Sequence, residues 1–256
     1  MGNVLILNYH DIIDEERGGV VNSNLKDKRT VNRKTLVKQL DLIQASGIPI
    51  VSLNEWNSGD LQQQFAIALT FSGGFKSAIE IVFPILKSRG LTATFFPTLS
   101  VVNSPGGLTW GDLNRLIEGR MTIGSQGISG QNLRRMSKSS CQLELELSKR
   151  IFENKTGKKL IFFAAPSGSY NRRLLQLAYN AGYEKLIANR SKINTNTKAL
   201  LLHRFTLKSN TNIAALEKLI VKGLLSNSKA PFFATISSQL SPEFGIGLLN
   251  KIYIKG

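Results

Sequence analysis

At 256 residues, with 42% hydrophobic and 20% charged side chains, the chain is long enough for one large domain or two small ones and too apolar to be disordered by composition. Its one cysteine, Cys141, excludes an intrachain disulfide and any multi-cysteine metal or iron–sulfur centre, and its two histidines, His10 and His203, argue against a histidine-rich zinc site. Thirty-three Lys and Arg against 17 Asp and Glu give a formal net charge of +16, which attracts polyanions, but the charge is spread along the chain and no aromatic-interleaved basic stripe or other nucleic-acid motif accompanies it.

Residues 4–9 form a short apolar run suited to a buried strand, and 14–28 is polar and read as a long loop. Leu36, Val37, Leu40 and Ile43 fall in helical rhythm over 35–45, and Gly47 stops that helix. Strands are expected at 48–53 and 65–71, the second ending in Gly73-Gly74. A helix over 76–88 contains Pro84, a candidate kink, and closes at Gly90. The β-branched and aromatic stretch 92–98 predicts a strand, 110–118 a helix and 121–124 a brief strand. The longest helical pattern runs over 138–155. A strand at 160–165 leads into the turn-rich Pro166-Ser167-Gly168-Ser169. Helices at 174–180 and 213–225 and strands at 185–188, 200–206 and 232–236 complete the pattern.

Strand and helix alternate throughout, with no linker and no internal repeat, so a single domain over 1–256 is expected. The class is α/β, and seven or so strand–helix units fit a distorted, possibly incomplete (β/α) barrel better than an open sheet. No apolar run reaches the ~18–20 residues of a membrane span. The start lacks the basic and long apolar regions of a secretory signal, which makes the cytoplasm the default expectation. In such barrels chemistry sits on loops leaving the C-terminal ends of strands, here near His10, Ser72, Ser125, Pro166 and His203.

Four of these loops carry a family resemblance in the right order. They are Leu7-Asn8-Tyr9-His10-Asp11, Thr70-Phe71-Ser72-Gly73-Gly74-Phe75, Ile123-Gly124-Ser125-Gln126 followed by Ser129-Gly130, and Pro166-Ser167-Gly168-Ser169-Tyr170-Asn171. Together, clearest over 4–207, they resemble the NodB-type polysaccharide deacetylases (carbohydrate esterase family four). That resemblance implies a distorted (β/α) barrel and metal-dependent removal of acetyl groups from a glycan. An Asp and two His would hold zinc or another divalent metal, a second Asp would act as base, and a backbone N–H of the Pro-Tyr-Gly turn would hold the oxyanion.

At each working position the sequence departs from the family pattern. Ser72 stands at the base position, Gly73 at the metal aspartate, and Gln126 and Gly130 at the metal histidines. Ser167 replaces the turn tyrosine, leaving Pro166, Ser167, Gly168 and Tyr170 as candidate substrate contacts. Zinc needs about three protein ligands, and the inherited positions offer one weak carbonyl. The expectation is a catalytically inactive homologue with no cofactor, binding a glycan or a protein partner in carbohydrate metabolism. Two alternatives stay open. One is an active carbohydrate N-deacetylase or hydrolase with a relocated site and its own divalent metal. The other is a basic polyanion-binding module.

Other candidates carry a plain reading beside the functional one. His10 lines the cleft or supports its strand end. His203 lines the cleft or, among Leu201, Leu202 and Phe205, serves structure. Ser72 with His10 is a conceivable nucleophile–base pair, without an elbow motif or an orienting acid. Gly73-Gly74 cradles an anion or makes a turn. Trp56 and Trp110 stack on sugar or pack the fold.

Overall fold

The computed structural model describes residues 2–14, 27–59 and 65–227. Its strands are β1 (Val4–Tyr9), β2 (Asp11–Ile13), β3 (Thr30–Asn32), β4 (Ile50–Val51), β5 (Ala66–Gly73), β6 (Thr94–Pro97), β7 (Thr122–Ile123), β8 (Phe162–Ala164), β9 (Lys185–Asn189) and β10 (Leu201–Thr206). Its helices are α1 (Arg33–Ala45), α2 (Leu53–Ser58), α3 (Phe83–Ser88), α4 (Trp110–Glu118), α5 (Lys138–Thr156), α6 (Arg172–Asn180) and α7 (Ile213–Asn227). The main sheet runs β7-β6-β5-β1-β10-β9-β8, with every pairing parallel, and β4 lies on the edge of β5 below β6. Ser125, just past β7, bridges to Phe163 of β8 and brings the ends of the path together into a nearly closed ring. The expected barrel is therefore present.

Alternation along each strand divides the apolar residues into two cores. Val4, Ile6, Ala66, Ala68, Phe96, Phe162, Ala164, Ile187 and Leu202 share the small inner cluster. Leu5, Leu7, Leu69, Phe71, Phe95, Phe163 and Leu186 join the larger cluster beneath the helices. Two alanines on β5 leave room inside for the rings of Phe96 and Phe162. Since β1 is buried on both faces, its sequence reads as a continuous apolar run.

Most expected elements among the described residues appear within a residue or two, and two departures have physical causes. The strand expected over 48–53 is only Ile50–Val51, because Ser52 and Glu55 form a reciprocal capping box that starts α2 at Leu53. The loop expected over 14–28 lies mostly outside the described residues, but on either side of it the short strands β2 and β3 pair in parallel. The helix expected over 76–88 opens with a π-helical turn, Ala78–Val82, and then continues as α3. Pro84 has no N–H for the α-helical ladder, and the N–H of Phe83 before it reaches back to Ala78. The strand expected over 232–236 lies outside the described residues.

Candidate functional site at the barrel mouth

Strand register sets a ring of inward-facing residues at the C-terminal end of the barrel. Asn8 pairs with Thr70 on one side and Thr206 on the other, Arg204 pairs with Asn189, and Ser72 pairs with Phe96. By the same alternation Arg204 follows Leu202 on the inner face. Its guanidinium is 2% exposed, donates from Nε to Asn189 Oδ1 at 2.8 Å and from Nη1 to Ser72 Oγ at 2.9 Å, and lies 5.6 Å from the centre of the Phe96 ring. Burial pushes its pKa down to about 9, far enough above neutrality to keep it cationic.

Ser72 passes the polar chain onward. Its hydroxyl donates to Asn8 Oδ1 at 3.0 Å, and Thr70 Oγ1 lies 3.2 Å from the same oxygen. The Ser72 proton is thus directed to an amide and not to His10, so the conceivable nucleophile–base pair is not assembled. His10 and Ser72 do line one small cavity with Phe75, Phe96 and Pro97, of about 10 Å³, enough for a single water. The His10 ring packs 5.1 Å from the Phe75 ring. Desolvation, with repulsion from Arg29 and Arg204 against an opposing attraction from Asp27, holds its pKa down to about 4, so it is neutral at pH 7. Asp11 is engaged elsewhere, accepting from Ser77 Oγ at 2.6 Å and from the Ile12 N–H at 2.8 Å.

The inherited metal positions are neighbours in space. The Thr98 N–H donates to the Gly73 carbonyl, and the Gln126 N–H donates to the Pro97 carbonyl. Gly73 has φ +105°, and a Cβ there would lie 2.3 Å from Phe75 Cε2, so the phenylalanine ring fills the space an aspartate would need. Gln126 is buried and its Oε1 accepts from Thr98 Oγ1 at 3.3 Å. Gly130 has φ +69°, and a Cβ there would press to 3.3 Å from the Thr98 methyl. Among the described residues no three His, Cys, Asp or Glu side chains are grouped to hold an ion. A buried guanidinium touching Ser72 adds a fixed positive charge beside these positions. The residues present do not fit a divalent metal.

The nearby carboxylate of Glu144 on α5 is used for architecture. It accepts from the Ile128 N–H at 2.6 Å and from the Ser129 N–H at 3.1 Å, fixing the loop that carries Gln126 and Gly130. On the opposite rim Ser167 is exposed with φ 58°, between the buried Pro166 and Gly168. Gly168 must be glycine: at φ +66° a Cβ would lie 2.2 Å from Asn189 Cβ. This contact sets the Pro166–Gly168 turn against the residue that bonds Arg204.

His203 takes the other parity and sits on the outer side of the wall. Its backbone N–H donates to Asn194 Oδ1 at 2.7 Å, its ring lies 6.4 Å from Tyr170, and its buried Nδ1 has no partner. Tyr170 in turn carries the Arg190 guanidinium 5.5 Å above its ring. The mouth therefore gathers His10, Ser72, Gly73 and Gln126, with Ser167 and Gly168 on its rim, and leaves His203 and Tyr170 outside. Trp56 is a packing residue: it is buried and donates from Nε1 to the Gly2 carbonyl at 3.0 Å. None of the sequence motifs above includes Arg204. Its one signal was parity, two residues after the apolar Leu202.

Residues 61–186 match the sequence profile of the family described as polysaccharide deacetylase. The Bacillus subtilis protein YxkH, whose name places it with the polysaccharide deacetylases, is 25% identical over 118 residues. That match spans 46% of this chain and 42% of YxkH, less than half of either. Among solved structures the fold is similar to the Streptococcus pyogenes deacetylase PplD, with a TM-score of 0.73, 23% identity, and coverage of 85% of this chain and 97% of that one. It is also similar to a de-N-acetylase from Aggregatibacter actinomycetemcomitans (TM-score 0.73, 17% identity, 85% and 99% covered). IcaB from Ammonifex degensii has the same barrel (TM-score 0.71, 17% identity, 82% and 94% covered). Profile, relative and fold agree with the motifs at the strand ends, and the chain is a polysaccharide deacetylase-like protein built on the NodB-type barrel.

Proposed function

We propose that this protein has kept the deacetylase barrel and lost its hydrolysis, and that it binds a glycan in the barrel mouth without cleaving it. The observation that carries this reading is the replacement of the reactive set by Ser72, Gly73, Gln126 and Gly130, with the Phe75 ring in the space beside Gly73. Removing metal and base together takes away the polarising charge and the activated water, each worth orders of magnitude in rate. A relocated centre has less support, since His203 lies outside the wall and Ser72 gives its proton to Asn8.

The test is calorimetric titration with zinc, together with acetate release from a chitooligosaccharide. We expect no stoichiometric zinc binding and no release above background. Tight zinc binding with chelator-sensitive turnover overturns the proposal. A chain with Ser72→Asp, Gly73→Asp, Gln126→His and Gly130→His is expected to recover zinc only when Phe75→Ala is added, because the ring blocks position 73.

A further inference from the structure

The barrel mouth holds a buried cation, Arg204, that no carboxylate among the described residues pairs with. The partners of Arg204, namely Ser72, Asn189 and the Phe96 ring, are all uncharged. So are Asn8, Thr70 and Thr206 behind them. Among the described residues no carboxylate lies within ion-pair distance of Arg204, although Lys76, Arg33 and Arg89 each have one. A guanidinium removed from water without a counter-charge is costly, and folds usually pair such a group with an anion. The two hydrogen bonds take two of its five N–H donors.

We propose that the mouth is a binding site for a carboxylate-bearing ligand, whose anion accepts from the Arg204 fork. This rests on the binding reading above and names the chemistry of the ligand. Asn189 is the only exposed one of the three partners, so the Nε edge of the fork is reached by displacing its amide. A planar carboxylate matches that edge with two parallel hydrogen bonds. A single positive charge suits a monoanion. Arg29, the other guanidinium near His10, is already paired with Asp27 at 2.6 Å, so it does not make the site a doubly charged phosphate cradle. The carboxylate belongs either to a uronic-acid sugar of an acidic glycan or to a small free acid.

The test uses the full chain in thermal-shift and calorimetric titrations at fixed ionic strength. The probes are sodium glucuronate, sodium acetate, glucose, phosphate and chloride. We expect saturable stabilisation by a carboxylate and none by glucose or chloride. Tighter binding of glucuronate assigns the site to an acidic glycan, and equal or tighter binding of acetate assigns it to a small acid. Arg204→Gln should weaken the binding by about thirtyfold or more. Ser72→Asp places a carboxylate beside Nη1 from within the chain, so it should raise the melting temperature and abolish the response to added carboxylate. If Arg204→Gln does not fold, Ser72→Asp decides. The proposal is overturned if no carboxylate saturates the wild type, if phosphate acts as well as carboxylate, or if Ser72→Asp responds like the wild type. Failure here leaves the loss of hydrolysis standing, whereas chelator-sensitive acetate release overturns that loss without touching Arg204.

Discussion

His10 shows how one side chain reports on the mouth. Its ring is held neutral by desolvation and by the charges of Arg29 and Arg204, which outweigh the opposing charge of Asp27, with a pKa of about 4 against 6.5 in the unfolded chain. Between those values the unfolded chain binds a proton that the folded chain refuses. The contribution of His10 to stability is therefore complete above pH 6.5 and falls as pH drops toward 4. At about 1.4 kcal/mol per unit the loss is on the order of 3 kcal/mol. Urea melts from pH 7 to pH 4 are expected to show this decline in the wild type and a smaller one in His10→Gln. Equal slopes would mean that the imidazole stays protonated inside the fold. Parity decides which of the two histidines can be used in this way. A strand that alternates faces puts Arg204 in the mouth and His203 outside it, and only the register of β10 against β1 and β9 says which is which. The motif positions 72, 73, 126 and 130 were legible because family spacing marks them. Arg204 was not, because it acts through three-dimensional register.

Elements were legible where a local signal ends them. Gly47 closes α1 and Gly157, at φ +64°, caps α5, and both helices sit where apolar rhythm and glycine place them. Three short elements fixed by pairing or capping, β2, β3 and α2, were not found. Strands β2 and β3 have three residues each and depend on one another, and α2 is announced only by Ser52 and Glu55. The junction of α3 and α4 gives a direct test of element packing. Gly119, just past α4, has an ordinary φ of −79°, but a Cβ there would meet Phe83 Cε2 at 2.3 Å. Phe83 opens α3 and is buried beside Gly119 at the edge of a surface pocket, so the ring must leave its packed position. Gly119→Ala is expected to destabilise the protein by about 1–3 kcal/mol through overpacking. Gly111, inside α4, has only Thr109 Oγ1 within reach, at 3.7 Å. Gly111→Ala should stabilise by roughly 0.5–1 kcal/mol through helix propensity. Opposite signs from two glycine-to-alanine changes eight residues apart, read in denaturant melts, are the outcome that supports this packing.

At the scale of the molecule, two kinds of positive charge are present and they behave differently. The formal net charge of +16 is a surface property, dispersed along the sequence, and its attraction for a polyanion acts through water. Such attraction is screened over ~10 Å at 0.1 M salt and ~3 Å at 1 M. The charge of Arg204 is enclosed, 2% exposed and roofed by Asn189, and salt reaches it poorly. Heparin should therefore retain the protein at low salt and release it by about 0.5 M sodium chloride, as expected of dispersed surface charge. Arg204→Gln should elute at nearly the same salt as the wild type, because removing a buried charge leaves the surface field almost unchanged. Carboxylate binding in the mouth should persist across the range of salt that strips the polymer. Heparin retention that survived 1 M salt, or that was lost on changing Arg204, would make the polymer the true occupant of the mouth and turn the general basicity of the chain into a specific function.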